Sequence, residues 1–245
     1  MRRRNKNRYA GDIGDFGKFG LLSALEKTGF RIGINWYKAL PPSSEYKKDG
    51  SFKSADGRHR IKEKYYPCDE VLAKKLFTIS ESDSRSIVAL ENAMLLKNPI
   101  FFHDTVPVDC REQWHKKALD ALTDCSLVFL DPDNGLLVKS VKEGSQKSVK
   151  YVIDRELSEY IKRGQSVVLY NHRPRKQREQ YFAEISERLN AASMGKPFMA
   201  ITFPKGSVRD YFLIPANDEH SKHMKTALTD LVSGPWGQLG LCKFE

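Results

Sequence analysis

The sharpest change of polarity in the chain falls at residues 127 to 135. Leu127-Val128-Phe129-Leu130 is an unbroken apolar run, and Asp131-Pro132-Asp133-Asn134-Gly135 follows at once. A short continuous apolar run fits a strand buried on both faces, as in a parallel sheet. Pro132 removes a backbone donor and ends the ladder. Asp133, Asn134 and Gly135 are turn formers. Asp131 is thereby expected at the carboxyl end of the strand, where open α/β sheets bind ligands.

The same pattern recurs along the chain. Residues 31–37, 99–104 and 166–172 read as strands that end in polar groups: Asn35, His103 with Asp104, and Asn171 with His172. Between them, amphipathic stretches predict helices over 69–77, 109–122, 151–163, 177–189 and 219–232. Residues 86–91 fit either a strand or a helix. Residues 199–203 and 210–215 flank the turn Pro204-Lys205-Gly206-Ser207 and predict a late antiparallel hairpin. Alternating strands and helices predict one α/β domain over residues 1–245, a Rossmann-like, doubly wound and mostly parallel sheet. A basic arm (1–8) precedes it, and a polar insertion (43–64) interrupts it.

Near the N-terminus, Ala10-Gly11-Asp12-Ile13-Gly14-Asp15-Phe16-Gly17-Lys18-Phe19-Gly20 holds four glycines, two aspartates and a lysine ahead of an apolar helix. Glycines let a ligand approach the backbone, and a helix start offers N–H groups to anions. A ligand-contacting loop is expected there. A plain helix entry capped by Asp12 or Asp15 is the simpler alternative.

Charge sharpens the partner. Lys and Arg number 41 against 31 Asp and Glu, for a formal charge of +10. The cations cluster at Arg2-Arg3-Arg4, between Lys47 and Lys64, and at Arg173-Pro174-Arg175-Lys176-Gln177-Arg178. Arg2, Arg3, Arg4, Arg173, Arg175 and Lys176 are therefore the expected nucleic-acid contacts. No apolar run is long enough to span a bilayer. The four cysteines are scattered without a Cys-x-x-Cys pair, which suits a reducing cytoplasm and argues against a compact zinc site. His220 and His223 lie one helical turn apart with no third ligand in view, so no metal site is expected there.

Two motifs carry a resemblance. Ala10-Gly11-Asp12-Ile13-Gly14-Asp15-Phe16-Gly17-Lys18 is similar to the Ala-Gly-Asn-x-x-Asp-x-x-Lys stretch of the adenine-N6 methyltransferases that modify 23S ribosomal RNA. Asp131-Pro132-Asp133-Asn134 resembles their Asp-Pro-Pro-Tyr. The order of elements around Tyr170 and the late hairpin also look alike. The resemblance implies a Rossmann-like fold and S-adenosylmethionine as cofactor. It places Gly11, Asp12, Asp15 and Lys18, with strand-end Asn35, at the cofactor. It gives Asp131 the target amine, with Asp133 and Asn134 beside it. Here Asp133 stands for the family's second proline and Asn134 for its aromatic, so Trp36, Tyr37 or Tyr170 would have to stack a base. The family's glycine-rich turn after the first strand is replaced by Lys38-Ala39-Leu40-Pro41.

Two other functions fit the same residues. A metal-dependent nuclease would place magnesium on Asp131 and Asp133 with Asp104 or His103. His172 would then act as general base, with Lys205, Arg173 or Arg175 on the phosphate. A methyltransferase-like fold without a cofactor would be a nucleic-acid-binding module.

Overall fold

The computed structural model describes residues 9–39, 59–82 and 85–245. Nine strands and eight α-helices lie among them in this order: α1 Ile13–Lys27, β1 Ile32–Asn35, α2 Glu70–Glu81, α3 Ile87–Asn92, β2 Ile100–Phe102, α4 Arg111–Ala121, β3 Leu127–Leu130, β4 Gly135–Leu136, β5 Tyr151–Val152, α5 Asp154–Lys162, β6 Ser166–His172, α6 Arg178–Ala192, β7 Met199–Phe203, β8 Arg209–Ile214, α7 Asp218–Ser233, α8 Pro235–Gln238 and β9 Lys243–Phe244. The ambiguous stretch 86–91 is helical, with the Ser86 side chain accepting from Ala89 N–H.

The main sheet runs β2-β1-β3-β6-β8-β7-β9. β2, β1, β3 and β6 are parallel. β8 is antiparallel to both β6 and β7, so the expected late hairpin closes the sheet. The Leu127–Leu130 run lies near the middle, all four side chains buried. Leu127 and Phe129 join one core with α1, α2 and α7. Val128 and Leu130 join the other, with α4, α5 and α6. Burial on both faces is why the strand carries no polar alternation.

α1 departs from the sequence expectation. The glycine-rich stretch is not a loop but the first turns of a helix, and Ile13 through Leu22 are all buried. Gly14, Gly17 and Gly20 recur every third residue and so share one face. A Cβ there would lie 2.5 Å from Arg209 Nη2, 2.6 Å from Phe203 Cδ1 and 2.4 Å from Trp236 Cη2 respectively. Gly11, at φ +85°, has no room either: its Cβ would meet Leu76 O at 2.5 Å. These glycines admit the protein's own neighbours rather than a ligand.

The expected strand 31–37 stops at Asn35, because Tyr37 sits at φ +44°, a region where a bulky residue cannot continue a strand. The expected helix at 151 starts later: Tyr151 and Val152 form β5, parallel to β4. Residues 43–58 of the insertion and the arm 1–8 lie outside the described residues. The insertion's end is in place, with His59 O accepting from Ile13 N–H at 2.8 Å and a 3₁₀ turn over Glu63–Cys68.

Candidate functional site

The chain leaves β1 for β2 on one side, and β3 lies on the other. Such a reversal opens a crevice at the carboxyl ends of the strands. Asp131 stands there, one residue past β3, with its N–H donated to Asn35 O at 2.9 Å. The Lys18 ammonium reaches it from α1. Nζ lies 2.7 Å from Asp131 Oδ2 and 3.0 Å from Asp15 Oδ1, and 5.1 Å from the centre of the Trp36 ring. The Trp36 indole N–H donates to Glu91 Oε1 at 2.9 Å, and His103 Nδ1 lies 3.3 Å from the same oxygen. A continuous line of contacts thus joins the ends of β2, β1 and β3.

Burial opposes the charge on Lys18, but Asp131 and Asp15 outweigh it and hold its pKa above the ordinary lysine value. Burial pushes the Asp131 carboxyl up to about 6 against the pull of Lys18. Its side chain keeps 14% exposure. Between the ordinary value of 3.8 and about 6, the folded protein therefore holds a proton that the unfolded chain has released. The contribution of Asp131 to stability falls as pH rises across that window and is level above it. Unfolding titrations of wild type and Asp131→Asn should thus diverge between pH 4 and 6, with the variant gaining on wild type as pH rises. Parallel curves would contradict the assignment.

The helix start offers no anion site. Asp12 Oδ1 accepts from Gly14 N–H at 2.7 Å and Asp15 N–H at 3.1 Å, Ile13 N–H is taken by His59 O, and Phe16 N–H by Asp12 O. Asp15 Oδ2 accepts from Gly11 N–H at 2.8 Å. Gly11 and Asp12 are thus spent on building the helix entry. Asp12 Oδ2 is buried with no hydrogen bond among the described residues, 3.8 Å from Arg209 Nη2, and burial raises its pKa. Asn35 is also withdrawn from the crevice. Fully buried, it donates to Tyr160 OH at 3.2 Å and accepts from Tyr37 N–H at 3.2 Å.

Asp133 is exposed, 3.5 Å from Lys150 Nζ. Asn134 is fixed by its backbone, N–H to Lys150 O and O from His172 N–H, each at 3.1 Å. Its half-buried carboxamide makes no hydrogen bond among the described residues. His172 is exposed, and burial with the Arg209 charge lowers its pKa. Trp36 and Tyr37 are buried; of the three aromatics considered for stacking, Tyr170 alone is half-exposed. Burial raises its hydroxyl to about 12.

Of the Arg173 run, Arg173 itself is consumed inside the fold, while Lys176 and Arg178 pair at the surface. Arg173 donates to Asp210 Oδ2 at 2.9 Å, Thr202 Oγ1 at 2.8 Å and Glu245 Oε1 at 3.0 Å. Arg178 also bonds Glu245, and Lys176 pairs with Glu184 at 2.6 Å. Arg175 remains exposed. Arg2, Arg3 and Arg4 lie outside the described residues.

The sequence reading did not single out Glu91, Arg209 or Tyr211. Arg209, the first residue of β8, packs over Gly14 and donates to Lys205 O and Ser207 O, each at 3.0 Å. The fully buried Tyr211 hydroxyl has no hydrogen-bond partner among the described residues. Nothing local marks Glu91 in the sequence; the charged pair Arg209-Asp210 at the head of an apolar strand was a usable signal.

Two tests of chemistry follow. Asp131 and Asp133 each have a lysine ammonium beside them, and no group of three or more His, Cys, Asp or Glu among the described residues is placed to hold a metal. For S-adenosylmethionine, the donor set at Lys18, Asp15 and Asp131 fits the amino-acid end, which carries one carboxylate and one ammonium. Gly11, Asp12 and Asn35 contribute nothing to it. No helix among the described residues is long and apolar enough to cross a membrane. Neither the protein-family models nor the curated proteins contain a match to this chain, so its function has to be read from this site.

Proposed function

We propose that this protein is a divergent relative of the nucleic-acid methyltransferases, acting on RNA or DNA at the crevice around Asp131 with S-adenosylmethionine as methyl donor. One observation carries the reading. The two motifs that resemble that family are 113 residues apart in sequence at Lys18 and Asp131, and they meet in a 2.7 Å ion pair at the switch point of the sheet. The antiparallel β7–β8 pair supports it further.

S-adenosylmethionine supplies an electrophilic methyl group when bound. Lys18 would hold its carboxylate and Asp15 its ammonium. Asp131 presents the oxygen that Lys18 leaves open, Oδ1, as acceptor for an N–H of the target amine, which turns the nitrogen lone pair outward. The Asn134 carboxamide adds a second polar contact at the same edge. Orientation rather than proton transfer carries the rate. The nuclease reading is less well supported, because no third His, Cys, Asp or Glu among the described residues joins Asp131 and Asp133 in a group that could hold a metal.

The test is transfer of labelled methyl from S-adenosylmethionine to RNA and DNA pools. Wild type should label one pool, and Asp131→Ala, which removes the accepting oxygen, should lose about 100-fold or more in rate, the scale of a misplaced reacting group. No incorporation into either pool by wild type would sink the proposal.

A further inference from the structure

The nucleic-acid surface expected from the sequence was the Arg173 run, and its first member, Arg173, is folded inward onto Asp210 and Glu245. Asp210 is fully buried, so turning Arg173 out to a phosphate would strand a buried carboxylate. Another set of cations stands beside the crevice. The connector between β4 and β5, residues 137–150, carries Lys139, Lys142, Lys147 and Lys150 against a single acid, Glu143. Glu143 faces Arg155 at 3.8 Å.

The connector is anchored and shaped. Gly135 pairs with Tyr151 and Leu136 with Val152, so it leaves and returns beside the Asp131 turn. Leu136 N–H donates to Asn171 Oδ1 at 2.9 Å, which ties β4 to the end of β6. Inside it, Val141 N–H bonds Val138 O at 3.0 Å, Ser145 N–H bonds Lys142 O at 3.2 Å, and Ser148 N–H bonds Ser145 O at 2.9 Å. Lys150 pairs with the exposed Asp133 at 3.5 Å. Lys139, Lys142 and Lys147 are exposed. Lys142 and Lys147 make no ion pair among the described residues, and Lys139 senses Glu184 only through its field, while that carboxylate is bonded to Lys176. Three exposed cations thus stand on a hydrogen-bonded loop whose two ends flank the Asp131 turn, a surface complementary to a polyanion.

We infer that Lys139, Lys142 and Lys147, rather than Arg173 to Arg178, contact the phosphate backbone of a nucleic acid whose target group enters the Asp131 crevice. The inference rests on the nucleic-acid reading above and adds the surface through which the strand is held. Phosphate contacts hold register without reading sequence, so binding through this lip is salt-dependent and tolerant of sequence.

The experiment is fluorescence anisotropy of wild type with a labelled single-stranded RNA and a labelled DNA duplex over a range of salt. The same titrations are run on the triple variant Lys139→Ser, Lys142→Ser, Lys147→Ser and on the double variant Arg175→Ser, Lys176→Ser. All substitutions are at exposed side chains, and urea unfolding checks that each variant is folded. Loss of three phosphate contacts lowers the slope of log K against log salt by about 2 on a single strand and about 3 on a duplex. The triple variant should show that drop and bind at least about 10-fold more weakly at low salt. The double variant should keep the wild-type slope. A triple variant with wild-type slope, or a double variant that loses it instead, overturns the assignment of the surface while leaving the nucleic-acid reading standing. Absence of binding of both probes to wild type overturns the two together.

Discussion

Replacing Lys18 with methionine should cost about 3–5 kcal/mol of unfolding free energy, the usual loss when one partner of a buried ion pair is removed. Methionine fills nearly the same space, so the packing beside Trp36 survives and the loss is electrostatic. Asp131 and Asp15 would be left in a buried setting without their shared cation. Burial already holds the Asp131 carboxyl at about 6 with Lys18 present. Without Lys18 it rises further, and protonation relieves the defect. The stability gap between Lys18→Met and wild type should therefore be wide at pH 8 and narrower at pH 5. Urea unfolding at the two pH values reads both. A gap below about 1 kcal/mol at pH 8, the range of an exposed pair, would show that the cluster is solvated.

The second large effect lies on the other face of the sheet. Arg111 and Glu156 are buried and joined twice, Nε to Oε1 at 2.7 Å and Nη2 to Oε2 at 3.0 Å. Arg111 also donates to Ser148 O at 2.9 Å and Tyr151 O at 2.6 Å. Glu156 Oε2 accepts from Tyr37 OH and from Ile153 N–H, each at 3.1 Å. Arg111→Met should cost about 3–5 kcal/mol, because Glu156 is left buried, charged and short of its partner. Arg111→Met with Glu156→Leu should be less unstable than the sum of the two single variants, since no uncompensated charge is left. Ser148 O, Tyr151 O, Tyr37 OH and Ile153 N–H lose their partners and keep it below wild type. Guanidinium unfolding of wild type, both single variants and the double variant measures the coupling. A double variant as unstable as the sum of the singles would contradict it. The network also pins the far end of the lysine connector at Ser148 and Tyr151, so Arg111→Met should weaken nucleic-acid binding as well as the fold.

What could be read from the sequence follows from what is local. Leu127 to Leu130 showed its strand because burial on both faces leaves an apolar run, and the abrupt polar turn placed Asp131 at the edge. The parity of β1 also held usable information. Ile32 and Ile34 face the α1 side, which puts Asn35 on the opposite face, away from Lys18. The glycines of α1 misled because a missing Cβ looks the same whether it admits a ligand or, as at Gly17, the ring of Phe203. Arg173 was hidden for a different reason. Its partners Asp210 and Glu245 lie 37 and 72 residues away, beyond any local pattern. The lysines of the connector could not be singled out because nothing in the sequence tells a paired lysine from an unpaired one.

The most direct test of the site at Lys18 and Asp131 is calorimetric titration of the wild-type protein with S-adenosylmethionine, repeated on Asp15→Asn. Saturable one-site binding is expected, weakened by about 10-fold in Asp15→Asn, which corresponds to about 1.4 kcal/mol for one lost charged contact. No saturation at concentrations near about 1 mM, where binding would be worth only about 4 kcal/mol, would contradict a cofactor site at this crevice.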